Sequence, residues 1–518
     1  MPPAQYYRFD FEPGIWKNGT NYQAKGRWED SDLIRWSVGS ITPVGGWRRW
    51  GDSPTAVTGV PRNILPWMDN DNNRWIAAGS ASKLYVYNSA ASIFDITPTG
   101  FTAGRTDADP NTGYGDWIYG KSSYGTVRPD LGVPVPATVW ALDMWGEDLV
   151  GCTPDDRYVY LWDTSVGTGT KAAALSGAPQ YPISTLVTPE RIQMVFGGVA
   201  AGGAEAARDR RKVFWSDSED NTDWTSTATN QAGDHTLNTT GDLLCGIRVR
   251  GDILIFTTTD AHTATYVGLP YVYQFNRISD NCGPCSANAI ATAGNVAYWM
   301  GRSPSGFFRY DGTVTPLRCD VEAYLVDHVN QAQASKVVAW HNMLYAEIVW
   351  FYPGDGVEVD SYVSYNYEED HWATGSLART GVSTRGVFAH PILFDSAGNP
   401  YEHEVGGVYQ DVDGSTITPY LESGPVELGN GDKLLSATRL IPDLKNASGS
   451  DPLSDITTTF STRMYPTDTV TAHGPYTMAA PTSVRFTGRS VVMLVTSNSA
   501  NSWRLGIPRL ELRPAGER

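Results

Sequence analysis

The chain is poor in charge, in lysine and in cysteine, and it has no long apolar run. Asp, Glu, Lys and Arg make up 18% of its 518 residues, below the roughly 25% usual for soluble chains. A coiled coil or a solvent-laced helical bundle needs more charge than that. Positive charge is the scarcer sign, 39 basic against 56 acidic residues, for a net charge of −17. This excludes a protein that grips nucleic acid over a broad basic surface. It leaves room for DNA passing nearby, because a like-charged wall repels phosphate instead of holding it. Lysine supplies only nine of the basic residues and arginine 30. Arginine suits planar pairing at packed surfaces, which points to protein–protein contact. No stretch approaches ~18 apolar residues, so no helix is expected to enter a membrane. Met1 to Arg8 has no apolar core of a secretion signal. The five cysteines, Cys152, Cys245, Cys282, Cys285 and Cys319, are too few and odd in number for a disulfide framework. A protein made in a reducing cytoplasm is the expectation.

Glycine (52), proline (32), tryptophan (18) and tyrosine (27) are plentiful. Frequent turn formers with many aromatics exclude a disordered chain and favour numerous short strands. From about residue 55 to 415 one pattern recurs, a short strand, a polar turn and a second strand that is often aromatic. Arg74–Gly79 precedes Lys83–Asn88, and Asp148–Cys152 precedes Tyr158–Asp163. Gln193–Gly198 precedes Lys212–Asp217, and Asp252–Phe256 precedes Ala264–Val267. Val296–Met300 precedes Gly306–Gly312, Leu344–Val349 precedes Ser361–Asn366, and Gly386–Ala389 precedes Gly407–Tyr409. A recurrence at roughly 40–65 residues is the length of a β-propeller blade, each burying its faces against its neighbours. The expected fold is therefore all-β, a propeller-like array of antiparallel hairpins with six to eight blades. A large sandwich array is the other architecture the pattern allows. Residues 1–54 read as an extended arm rich in Trp and Arg, 55–415 as the propeller, and 416–518 as a separate antiparallel β-domain. One helix is expected where Asp320 caps Val321, Tyr324, Leu325, His328 and Val329, spaced by three and four.

Short motifs for chemistry each lack their context. Cys282-Gly283-Pro284-Cys285 has redox spacing, but no βαβ pattern surrounds it and Ala287 to Thr292 is too short for the activating helix. It reads as a tight turn with idle thiols. His403-Glu404 opens a zinc-protease pattern that Gly407 breaks. The eight histidines show no metal spacing. Ser218 to Trp224 approaches the Asp box of sialidase propellers but lacks its glycine and has no second copy. Asp155-Asp156 is an ordinary turn pair before it is a glycosidase dyad. Neither a phosphate loop nor a nucleophile elbow occurs. No catalytic residue, cofactor or metal is expected, and the chain reads as not an enzyme.

The ends of the chain carry a resemblance. Gly14-Ile15, Gly26-Arg27-Trp28, Leu33-Ile34-Arg35-Trp36 and Pro43-Val44-Gly45-Gly46-Trp47 resemble the opening of tail hub proteins of short-tailed bacteriophages. These are also called nozzle or packaged-DNA stabilisation proteins. Glu422 to Gly429 and Trp503-Arg504-Leu505-Gly506-Ile507-Pro508-Arg509-Leu510 resemble the end of the same group, and Arg250–Phe256 to Phe308–Gly312 its core. The resemblance implies a structural virion protein of the tail, assembled in the host cytoplasm. It would form a ring, usually of six copies, below the portal and adaptor, lining or closing the channel through which the genome leaves. Tail fibres, spikes or a needle would attach nearby, and DNA would pass without sequence-specific binding. A lumen richer in Asp and Glu than in Lys and Arg is expected. The candidate subunit-interface residues are Trp16, Trp28, Arg35, Trp36, Trp47, Arg48, Trp503 and Arg504. The alternative function is a carbohydrate-binding or glycan-hydrolysing β-propeller.

Overall fold

In each repeat the second strand is an unbroken apolar run, and burial on both faces makes it the spine of a four-stranded sheet. Gln193–Gly198 is buried at every position and Ile253–Thr257 likewise. The architecture comes from a computed structural model that describes residues 5–51, 55–109, 135–302, 306–405, 416–427, 433–446, 453–465, 467–499 and 501–516. Among these residues, seven four-stranded antiparallel sheets follow one another. Their innermost strands are Pro61–Met68, Ala141–Trp145, Ser184–Val187, Leu243–Val249, Ile290–Ala293, Val338–Asn342 and Gly381–Val382. The inner strands of blades 1 to 4 and of blades 5 to 7 lie side by side in order, and the last returns to the first. Between blades 4 and 5 the wedge is Cys245, Phe256 and Trp299 in one apolar cluster. This is a closed seven-bladed β-propeller, within the expected range of blade number, and the sandwich array is excluded.

Turn chemistry fixes the hairpins. Arg250 and Gly251, both at positive φ, join Leu243–Val249 to Asp252–Thr257 with Val249 opposite Asp252. Two left-handed residues give the turn whose twist matches the strands it connects. Val38 and Gly39 do the same between Ile34–Ser37 and Ser40–Pro43.

Blade 7 is completed from the other end of the chain. Its strands Gly381–Val382, Ile392–Phe394 and Pro400–His403 take Trp47–Arg49 as their fourth, with His403 opposite Trp47. The predicted strand Gly386–Ala389 is instead a turn, and Gly407–Tyr409 lies outside the described residues. Leu344–Val349 begins its strand only at Glu347.

The N-terminal residues are not a free arm. Gln5–Arg8 pairs with Arg509–Gly516, which pairs with Leu434–Ile441 and through it Thr482–Gly488. Trp28–Asp32 pairs with Tyr420–Ser423 in a second sheet built on Ser490–Ser497 and Ile456–Arg463. Ile34–Ser37 and Ser40–Pro43 extend to Trp503–Leu505 and Leu444–Asn446 in a third. Both ends of the chain thus make one β-domain, called the joint domain below. Its core, including Phe9, Trp28, Leu421, Phe460 and Leu512, runs without a break into Phe307, Trp350 and Trp372 of blades 5 and 6.

The single α-helix of the described residues spans Glu322–His328. Asp320 does not cap it. Its carboxylate faces Arg27 at 3.3 Å, and Asn18 supplies the cap, its Oδ1 accepting from the Ala323 N–H at 2.9 Å. The N-terminal segment therefore clasps the helix that covers blades 5 and 6.

Candidate functional site

The eight candidate interface residues do not form an outward patch. Trp28, Trp36 and Trp503 are each at most 2% exposed and share the core that joins the two regions. Trp47 is buried in a separate cluster of blades 6 and 7, stacked on His403 with ring centroids 5.4 Å apart. Arg35 is buried as well. These five side chains are covered by the chain itself, so their expected role as anchors for a neighbouring copy is corrected. The Trp, Arg and Gly signature marks the seam between the two ends of one chain. Trp16 is half-buried, its backbone N–H donating to Trp28 O at 2.9 Å. Arg48 is exposed in an ion pair with Glu402 at 2.6 Å, and Arg504 is exposed on the strand opposite Lys445.

Arg35 ties the joint domain to two blades. Its Nε donates to Glu347 Oε1 at 2.8 Å in blade 6. Its Nη2 and Nη1 donate to the two carboxylate oxygens of Glu404, just past blade 7, at 2.6 and 3.1 Å. Asn342 Nδ2 and the Gly45 N–H also donate to Glu404, and the guanidinium lies 3.7 Å from the Tyr345 ring centroid. One cation faces two buried carboxylates, and burial pushes the Glu347 carboxyl up against the pull of Arg35. Glu404 is thus engaged by Arg35, Asn342 and Gly45, and among the described residues no cluster of ligating side chains could hold a metal ion. His403 accepts from Arg379 Nε at 2.8 Å. Burial first, and Arg379 second, hold its pKa well below the ordinary value.

The cysteine pair is buried in the crossing from blade 4 to blade 5, and both thiols are free. Burial raises the Cys282 pKa and pushes Cys285 up to about 12, the opposite of what an attacking thiolate needs. Ser218 to Trp224 is a turn closed on itself, with Thr222 N–H donating to Asp220 and Trp224 Nε1 to Asn221 O.

Two features not singled out in the sequence stand out in the fold. The first is a cavity of about 580 Å³ on the propeller axis, lined by inner strands of all seven blades. Its wall is apolar, with Leu65, Leu142, Ile183, Leu243 and Ile247, and its charges are arginine and aspartate. Arg248 holds Asp143 through two bonds of 2.7 and 3.0 Å. Arg210 pairs with Asp242 at 3.1 Å and Asp155 with Arg105 at 2.9 Å. Arg208 and Arg302 also line the cavity, and among the described residues neither has a carboxylate partner. Arg208 donates from Nη2 to Pro182 O at 3.1 Å, and its buried Nε meets no acceptor. Burial, and then the like charge of Arg210, pull its pKa down.

The second feature is a pair of apolar hairpin tips. Asp260–Gly268 and Val272–Asp280 meet in a tip that exposes Tyr266, Val267, Leu269 and Tyr271, the last at 79%. In the joint domain, Ile456–Arg463 and Thr471–Thr477 are bridged by a segment that exposes Met464, Tyr465 and Val470.

No protein-family model matches the chain, and no curated protein does. Solved structures do. A glycoside hydrolase is similar over 88% of this chain and 99% of its own, at 10% identity and a TM-score of 0.25. BamB from Moraxella catarrhalis is similar over 67% and 97%, at 10% identity and a TM-score of 0.31. A gluconolactonase from Xanthomonas campestris is similar over 68% and 96%, at 8% identity and a TM-score of 0.32. Likeness at this level transfers no residue roles. Against the expectation that the chain is not an enzyme stand two similar structures described as enzymes, a glycoside hydrolase and a gluconolactonase, and likeness at this level carries no activity to this chain.

Proposed function

We propose that the chain is the ring-forming subunit of a short bacteriophage tail, the hub or nozzle through which the genome leaves. The observation that supports it most is the pair of exposed apolar tips, one on the propeller and one on the joint domain. Two different patches on one chain are what a heterologous contact needs, and such contacts repeated around an axis close a ring. The sequence resemblance supplies the copy number, six, and the neighbours: portal-adaptor proteins on one side and fibre, spike or needle proteins on the other. It is carried by segments from both chain ends, and Trp28–Asp32, Ile34–Pro43, Tyr420–Ser423 and Trp503–Leu505 among them fold into the joint domain. The genome would pass along the axis of the ring, since the axial cavity of one propeller is far too small for a duplex. With −17 per chain, weak binding of duplex DNA at ~150 mM salt is expected.

Leu269→Asp combined with Tyr271→Asp tests the ring. Both side chains are exposed, so folding should stay unchanged while the assembled species gives way to monomer in mass photometry. Assembly at wild-type protein concentration in the double variant would contradict this use of the tip.

A second reading, a carbohydrate-binding or glycan-hydrolysing propeller, is favoured by the axial cavity. Its volume falls within the roughly 300–1,000 Å³ of small-molecule sites. Binding or hydrolysis of neutral oligosaccharides by the purified chain would support it, and silence across a glycan panel would count against it.

A further inference from the structure

The axial cavity has a charge pattern that the rest of the chain does not share. Three aspartates line it, and each already holds an arginine. Among the described residues Arg208 and Arg302 form no ion pair, so the lining carries four arginines against three aspartates in a protein of net charge −17. Arg208 is the more telling of the two. Its Nε is buried with no acceptor, and burial and the like charge of Arg210 outweigh the longer-range pull of Glu205 and Asp155, so an arriving acceptor would be stabilised there. Guanidinium groups present donors in the fork that matches a carboxylate or phosphate. The leucine and isoleucine side chains that line the same cavity suit a carbon body and not a bare inorganic ion.

We propose that the axial cavity binds a small organic oxyanion, a phosphate or carboxylate on an apolar or ring-shaped body, with Arg208 and Arg302 holding the anionic group. This site rests on the cavity alone and is independent of ring assembly and of neutral-glycan binding.

Isothermal titration of the full chain with phenyl phosphate, benzoate, inorganic phosphate and phenol tests it. Saturable binding of phenyl phosphate or benzoate is expected, with the two separating phosphate from carboxylate preference. Inorganic phosphate should bind more weakly, and phenol at least tenfold more weakly. Arg302→Gln alters an exposed side chain and should leave folding intact while weakening the preferred anion about tenfold, the worth of one charge-assisted hydrogen bond. Arg208→Gln should weaken it at least as much. Phenol binding as tightly as phenyl phosphate would overturn the proposal, as would equal affinity in wild type and both variants. Absence of saturable binding by every probe would overturn it too.

Discussion

The propeller and the joint domain build β-sheets from opposite kinds of pairing. Each of blades 1 to 6 is made from consecutive strands, so its hydrogen bonds close short loops. The joint domain pairs Gln5 with Leu512, Trp28 with Ser423 and Ile41 with Leu505. Loop-closure entropy rises only slowly with loop length, so such pairing costs little in stability, but long-range pairing is intrinsically slow to form. The last blade sits between the two cases, because it waits for Trp47–Arg49. The difference teaches that the first 50 residues serve as a fastener. They complete blade 7, cap the helix through Asn18, and supply strands to all three sheets of the joint domain.

The fastener can be broken most severely at Arg35. Arg35→Ala strands Glu347 and Glu404 in a buried site, and removal of one partner from a buried ion cluster costs about 3–5 kcal/mol. Urea unfolding followed by tryptophan fluorescence should lose that much, and the two regions should begin to melt separately. A loss under about 1 kcal/mol would mean the cluster does not join them.

A matched pair of core substitutions sharpens the contrast. Leu505 in the joint domain and Leu254 in blade 4 are equally buried, and each change to Ala should cost about 2–4 kcal/mol. Amide exchange should differ in where it rises. Leu505→Ala should expose residues at both chain ends together, whereas Leu254→Ala should act on blades 4 and 5. Exchange confined to the C-terminal strands in Leu505→Ala would break the claim that both ends form one unit.

A smaller effect concerns pH. Burial, then Glu422 and Asp30, raise the Glu29 carboxyl from 4.5 to about 7 in the joint domain. Between those values the folded chain holds a proton that the unfolded chain has released. Stability from this group is therefore present at low pH and lost as pH rises to about 7. Glu29→Gln should flatten that part of the pH profile, and an unchanged profile would place the group in water.

The smallest effect belongs to the seam's exposed edge. Arg48→Ala removes the surface ion pair with Glu402, and such pairs contribute about 0–1 kcal/mol. A larger loss would make the outer strand of blade 7 a stronger determinant of closure than its core.

Much of the propeller was legible because its middle strands announce themselves locally. Ile253–Phe256 and Val296–Met300 are apolar runs bounded by turn residues, and both are second strands of blades. Outer strands such as Gly233–Thr236 have no apolar face and left no signal. The joint domain was half legible. The alternation of Leu510 and Leu512 with charged neighbours marked a one-sided strand, but nothing local says that its partner is Gln5–Arg8. Trp28, Trp36 and Trp47 were visible as a set, yet exposure cannot be read from residue type, and their partners lie hundreds of residues away. The axial arginines leave no joint signal in the sequence because Arg208 and Arg302 come from different blades. The propeller tip did leave a trace: Tyr266-Val267-Gly268-Leu269-Pro270-Tyr271 is apolar where a hairpin turn is ordinarily polar.

Electron microscopy of the purified full chain tests the ring most directly. The expected image is a closed ring of six copies around an open axis, with the tip carrying Tyr271 at a subunit boundary. A population of monomers at high concentration, or an open filament, would contradict it.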